Sequence, residues 1–325
     1  MERSGISAIM VPLDGSREAV RAAGIAARMA RLRNASLHLT GVFQPILPAE
    51  SPPDTTSEPD AFFREDFRAH LQRVALDVAD FYHLAPETTL LEGTGAVARQ
   101  LEEWARANGI DLVVMRTRAR GGIERLLLGS VADELINDTD LPCLLLRDHH
   151  TGGASEPQLH GIFHRILVPL DASVASRAGI DQALAVATPG ITELRLLLVI
   201  PTLSLPMRAG ESLGSPGRRA ELDEYFAELV AEIESRDVRA RFITISHPSA
   251  AGGILERVHS QAIDLISIVS EHRSAANRFF LGSVIDQLVT GSTVPILARR
   301  KGRAAVSDRR RPSAASARHY RPLPS

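Results

Sequence analysis

A chain of 325 residues with 44% hydrophobic content is long enough for two ordinary domains and too apolar to be disordered throughout. Its formal net charge of -2 gives no overall attraction to nucleic acid or anionic membrane, so any such partner must be met by a local patch. The single cysteine, Cys143, excludes an intramolecular disulfide framework and argues against a Cys-based zinc site, which suits a reducing compartment. The chain opens Met-Glu-Arg-Ser with no charged-then-apolar leader, and no apolar run approaches the roughly eighteen residues of a membrane span. A cytoplasmic protein without a membrane anchor is expected.

In chain order, Ile6 to Leu13 reads as a buried strand that runs into Asp14-Gly15-Ser16, a turn and a helix cap. Residues 17–33 place Val20, Ala23, Ala27 and Ala30 on one face, the pattern of a helix lying on a sheet. Ser36 to Phe43 is a second strand, and 44–60, rich in Pro, Ser, Thr and acid, reads as a loop. The spacing of Phe63, Phe67, Leu71, Val74, Val78 and Phe81 predicts a long amphipathic helix with the aromatic stripe in the core. Thr88 to Leu91 is a short third strand. After Gly93-Thr94-Gly95 comes a helix that carries Val97, Leu101, Trp104 and Ala105 inward and stops at Asn108-Gly109. Ile110 to Met115 is apolar save for Asp111, as expected of a parallel strand covered on both faces. A Gly-Ser helix and a last strand, Leu141 to Leu146, close the unit.

This alternation argues for a doubly wound parallel α/β sheet. It then repeats. Val168-Pro169-Leu170-Asp171-Ala172-Ser173 mirrors Val11-Pro12-Leu13-Asp14-Gly15-Ser16. Residues 110–147 laid on 263–300 at an offset of 153 match at fourteen of thirty-eight positions without a gap, far above chance. The sequence is a duplicated domain, two copies of one fold rather than one large sheet. The expected divisions are 1–148, a linker over 149–161, a second copy over 162–300, and a basic tail over 301–325.

The most distinctive stretch is Arg125-Leu-Leu-Leu-Gly129-Ser130-Val131-Ala132, which returns as Arg278-Phe-Phe-Leu-Gly282-Ser283-Val284. In each copy an apolar run ends at Gly-Ser and helical spacing follows. The first N–H groups of a helix have no internal partner and the dipole is positive there, so such a start can hold a phosphate. The alternative is a glycine turn and a capping serine with nothing bound.

Taken together, Val-Pro-Leu-Asp-Gly-Ser, Asp-Leu-Val-Val-Met, and Arg-Gly-Gly-Ile-Glu-Arg-Leu-Leu-Leu-Gly-Ser-Val-Ala resemble the universal stress protein family, over residues 6–147 and 163–300. The resemblance implies two tandem flavodoxin-like, Rossmann-like open parallel-sheet domains of the adenine nucleotide alpha hydrolase-like kind. It also implies dimer-type pairing through the last strands and, in many members, ATP with its magnesium on Gly-x2-Gly-x9-Gly-Ser/Thr. Counting back from Gly129 gives Ala119 and Arg116 at the earlier glycines, and from Gly282 gives His272 and Val269. Only the last glycine and the serine remain in each copy. A Cβ at the early positions hinders backbone approach to phosphate; Arg116, Arg118 and Arg120 offer charge instead, whereas Glu271 opposes a phosphate in the second copy.

By resemblance the ligand set is Pro12, Asp14, Val42, Gly129, Ser130 and Val131 in the first copy, and Asp171, Val199, Gly282 and Ser283 in the second. Asp14 and Asp171 end their first strands, where open α/β sheets bind ligands and where the family Asp meets the nucleoside; each could equally shape an Asx turn. Val42 and Val199 match the position whose backbone meets adenine, and are also ordinary core valines. Ser130 and Ser283 would meet phosphate oxygens or cap their helices.

No His-Glu-x-x-His helix or Walker loop is present, and His149, His150, His160 and His164 around the linker fit no zinc spacing. The expected role is a regulatory or binding module in stress adaptation with degenerate nucleotide-binding motifs, nucleotide binding being weakened or lost, working with an unidentified protein partner. The alternative is an ATP-binding protein that slowly hydrolyses ATP or autophosphorylates through Gly129-Ser130. The tail has seven Lys or Arg against one Asp and would be the only route to nucleic acid. The strands Leu141 to Arg147 and Val294 to Arg300 would be sticky edges unless paired, so they are expected to join in an intramolecular pseudo-dimer, with a further homodimer as an open option.

Overall fold

The computed structural model describes residues 5–45, 58–116, 129–146, 163–171, 174–202, 216–271 and 282–301. Expectations that concern Arg118, Ala119 and Arg120, the linker with His149, His150 and His160, His272, and the tail from 302 onward fall outside those residues. The first half runs β1 (Ala8–Leu13), α1 (Arg17–Arg33), β2 (Ser36–Phe43), α2 (Glu58–Tyr82), β3 (Glu87–Glu92), α3 (Val97–Ala107), β4 (Leu112–Arg116), α4 (Ser130–Asp138) and β5 (Cys143–Leu146). The second runs β6 (Arg165–Leu170), α5 (Val174–Val186), β7 (Glu193–Pro201), α6 (Pro216–Glu234), β8 (Arg239–His247), α7 (Ala250–Ser260), β9 (Leu265–Glu271), α8 (Gly282–Gly291) and β10 (Ile296–Lys301).

Local chemistry sets the element ends. Ser16 caps α1 by accepting from Ala19 N at 3.2 Å, and Asn34 closes the helix in the left-handed region at φ 52. Gly15 takes φ +80, a conformation that disfavours any side chain, and so lets β1 turn directly into α1.

The strands lie in the order β3-β2-β1-β4-β5-β10-β9-β6-β7-β8. Every pairing is parallel except one: β5 and β10 run antiparallel, with Leu145 opposite Ile296, Leu144 opposite Leu297 and Cys143 opposite Ala298. The last strands therefore join as expected of a pseudo-dimer. The two copies of one fold are both present, five strands each, and pairing their edges makes them continuous as one ten-stranded sheet.

Alternation along the strands builds two apolar layers. Ile9, Val11 and Leu13 face the side covered by α1, α2, α5 and α6, whereas Ala8 and Met10 face α3, α4, α7 and α8. At the join, Leu144, Leu146 and Leu297 serve the first layer, and Cys143, Leu145 and Ile296 the second. Arg33 crosses between the halves, donating to the Ala187 carbonyl at 3.0 Å; its guanidinium pKa is lowered by burial.

Two local expectations change. The loop before α2 ends sooner, since the helix already begins at Glu58. Leu71, Val74 and Val78 are buried as the spacing predicts, but Phe63 is 52% and Phe81 76% exposed. The 25 residues of α2 span about 37 Å, longer than the roughly 27 Å of the eight-residue β2 beneath it, so its end turns overhang the sheet.

A cleft at the carboxyl edge of the first half

In the first half, β1 and β4 are neighbours whose following helices, α1 and α4, go to opposite faces. The chain parts there and leaves a crevice beyond the strand ends, the place where open α/β sheets receive ligands. A cleft of about 550 Å³ occupies it, within the usual range of small-molecule sites. Pro12, Asp14, Val42, Gly129, Ser130 and Val131 all line it, so the structure brings together the six first-half residues of the ligand set implied by the resemblance. Arg116 lies in the same wall, at the place of the first motif glycine.

The α4 end of the cleft is the N-terminus of a helix, with Asp133 in its first turn. Gly129 is the N-cap at φ -64 and ψ 150, with no side-chain cap, and the helix opens with Asp133 N bonded to the Gly129 carbonyl at 2.9 Å. The amides of the first turn precede that bond and have no intrahelical partner. Ser130 is thus the first helical residue and not the cap that the Gly-Ser reading allowed. A Cβ built on Gly129 would meet nothing within 4 Å, so the glycine keeps an approach open and is not required by its backbone angles.

The opposite wall is acidic. Asp14 Oδ1 accepts from Ser16 N at 3.0 Å, which is the Asx turn, and Glu18 lines the cleft from α1. Asp14 stays exposed beside the cleft, so the turn and a ligand contact are compatible. The floor holds a residue that the sequence reading missed. Thr40 is fully buried and lines the cleft, yet its Oγ1 has no hydrogen-bond partner among the described residues. A buried hydroxyl left unpaired costs about 1–3 kcal/mol. The signal available in sequence was a lone hydroxyl where the second copy has Leu197.

The second half resembles the first at the strand-end aspartate and differs beside it. Asp171 is exposed just past β6, and α8 begins at Gly282 with Ser283 next, where the backbone alone is described. Val199 is half-buried in the α7-side layer. Cβ atoms built on Gly252 and Gly253 would come within 2.3 Å of His247 Cε1 and 3.1 Å of Val199 Cγ1, so α7 starts hard against the ends of β7 and β8. At the offset of 153 the first half carries Arg99 and Gln100 there.

Among the described residues no group of three or more His, Cys, Asp and Glu could hold a metal ion. His164 Nδ1 stands 3.6 Å from Asp264 Oδ2. Burial pushes the Cys143 thiol up to about 12, which keeps it protonated and unreactive. No helix among the described residues is long and apolar enough to cross a membrane.

The profile of the universal stress protein family matches residues 5–147 and again 162–300. A universal stress protein of Methanocaldococcus jannaschii is 32% identical over 143 residues, 43% of this chain and 81% of that protein. A second, from Thermus aquaticus, is 31% identical over 141 residues, 43% of this chain and 97% of that protein. Over the whole fold, the crystal structure of a universal stress protein from Archaeoglobus fulgidus superposes with a TM-score of 0.65 at 17% identity, covering 91% of this chain and 98% of its own. With both halves matched by one family profile, the chain belongs to the universal stress protein family as a tandem member.

Proposed function

We propose that this protein serves stress adaptation in the cytoplasm as a binding module in which the first half receives an adenine nucleotide or a closely similar phosphorylated ligand. The second half acts as a built-in dimer partner. The convergence of Pro12, Asp14, Val42, Gly129, Ser130 and Val131 on one cleft carries this reading. The uncapped start of α4 suits the phosphate end, and Asp14 suits donors such as sugar hydroxyls. Arg116 offers a cation where the motif has a glycine that allows close backbone approach. We read residues 1–148 and 162–300 as the two units joined by 149–161. The basic tail, like any unidentified protein partner or further homodimer, would respond to the state of this cleft.

Calorimetric titration of magnesium ATP into the full chain tests the reading. Saturable binding that Gly129→Val removes supports it, and absence of heat at millimolar ATP overturns it. Slow release of phosphate, or labelling of the protein by γ-labelled ATP that is lost in Ser130→Ala, would favour the hydrolysing or autophosphorylating version.

A further inference from the structure

We infer that Thr40 is a specificity-determining residue of the first-half cleft, its hydroxyl, covered in the unliganded chain, meeting a polar atom at the buried end of the ligand once the bound molecule displaces that cover. The inference rests on the nucleotide reading of that cleft.

Along β2 the even positions face α3. His38 meets Trp104 edge-on with ring centroids 5.6 Å apart, Val42 packs in the same layer, and Thr40 lies between them. His38 has a partner for Nε2 in Ser36 Oγ at 2.9 Å, but Thr40 Oγ1 has none among the described residues and is shut away from bulk water. An unpaired hydroxyl in such a place opposes folding, so the fold itself gives no reason to keep it.

The second half shows that the fold does not need it. Thr40 stands opposite Pro12 in the sheet, and Leu197 stands opposite Pro169 at the same register. Leu197 is just as buried. The hydroxyl occurs in the half whose strand ends form the cleft, and leucine in the half where α7 presses on Val199. The anion end of the cleft is the start of α4, so a group that reaches the β2 floor is the other end of the ligand. The class that fits is a phosphorylated ligand whose far end is a hydrogen-bonding heterocycle or sugar, and a hydrocarbon end is disfavoured.

The test compares the full chain with Thr40→Val, which keeps the shape and deletes the hydroxyl, and Thr40→Ser, which keeps the hydroxyl. Magnesium ATP and magnesium tripolyphosphate are titrated into each, and unfolding is followed without ligand. The inference expects Thr40→Val to bind ATP about five- to tenfold more weakly, the scale of one lost hydrogen bond. It expects Thr40→Ser to stay near the parent, tripolyphosphate binding to be unchanged, and unliganded Thr40→Val to melt no lower than the parent. ATP binding that Thr40→Val leaves intact overturns this inference alone, as does an equal loss for tripolyphosphate. Failure of the parent chain to bind ATP overturns the nucleotide reading and this inference with it.

Discussion

The two halves share one topology and one register, and they differ where a ligand would sit. In the first, Thr40, Arg116 and an uncapped α4 surround an open cleft. In the second, Leu197 and Val269 occupy the matching strand positions, and Gly252 and Gly253 let α7 pack down on Val199. At these matched strand positions the polar residue falls in the first copy, while the joining edge is apolar in both. Fusing the copies frees one half to act as a partner surface, because β10 covers the edge of β5 whether or not the second half binds anything.

The comparison can be broken most forcefully at the join. Leu145 is fully buried opposite Ile296, so Leu145→Asp places an unpaired charge in the middle of the sheet. It should cost more than about 4 kcal/mol, read as a collapse of the urea midpoint. Exchanging the floor residues has a smaller effect with opposite signs. Leu197→Thr should lose about 2–4 kcal/mol by cavity and unpaired hydroxyl, whereas Thr40→Val should gain up to about 1 kcal/mol without ligand. If both substitutions destabilised alike, the proposed asymmetry of the floors would fail.

Gly129→Ala sharpens the comparison at the ligand end. The added Cβ has open space and an ordinary φ, so stability should change by less than about 1 kcal/mol. Titration should nonetheless show ATP bound about tenfold more weakly, and Gly282→Ala should leave the affinity unchanged.

The smallest effect concerns a pair related by the duplication, Asp133 and Asp286. The Asp286 carboxyl is pushed above the ordinary range by burial first and then by Asp133, with Arg300 acting the other way. A raised folded-state pKa favours the folded protein fully below the unfolded pKa, and that contribution is lost as pH rises through the folded pKa. Asp286→Asn should therefore melt slightly above the parent at pH 7, and the gap should close as pH falls toward 4. An unchanged gap across that range would mean that the carboxyl is not strained.

Most of the fold was legible because period and punctuation agreed. Arg17–Arg33 and Ser36–Phe43 match the expected bounds, since Ser16 and Asn34 are explicit caps. Helix length against strand length was not legible, which is why Phe63 and Phe81 overhang when their spacing implied core. That Asp14 and Gly129 come to one cleft could be anticipated because turn and helix-start chemistry are local. Thr40 could not, since an unpaired hydroxyl exists only once the strands and α3 have closed around it. The join of the two halves was legible in spite of its long separation in sequence, because two apolar last strands would otherwise be unpaired edges.

Amide hydrogen exchange of the full chain with and without saturating magnesium ATP tests the central claim most directly, because it reports on both halves in one experiment. The account predicts slower exchange over 129–132 and 40–42, with no change over 282–285 and 197–199. Protection confined to the second half, or equal protection in both, would contradict it.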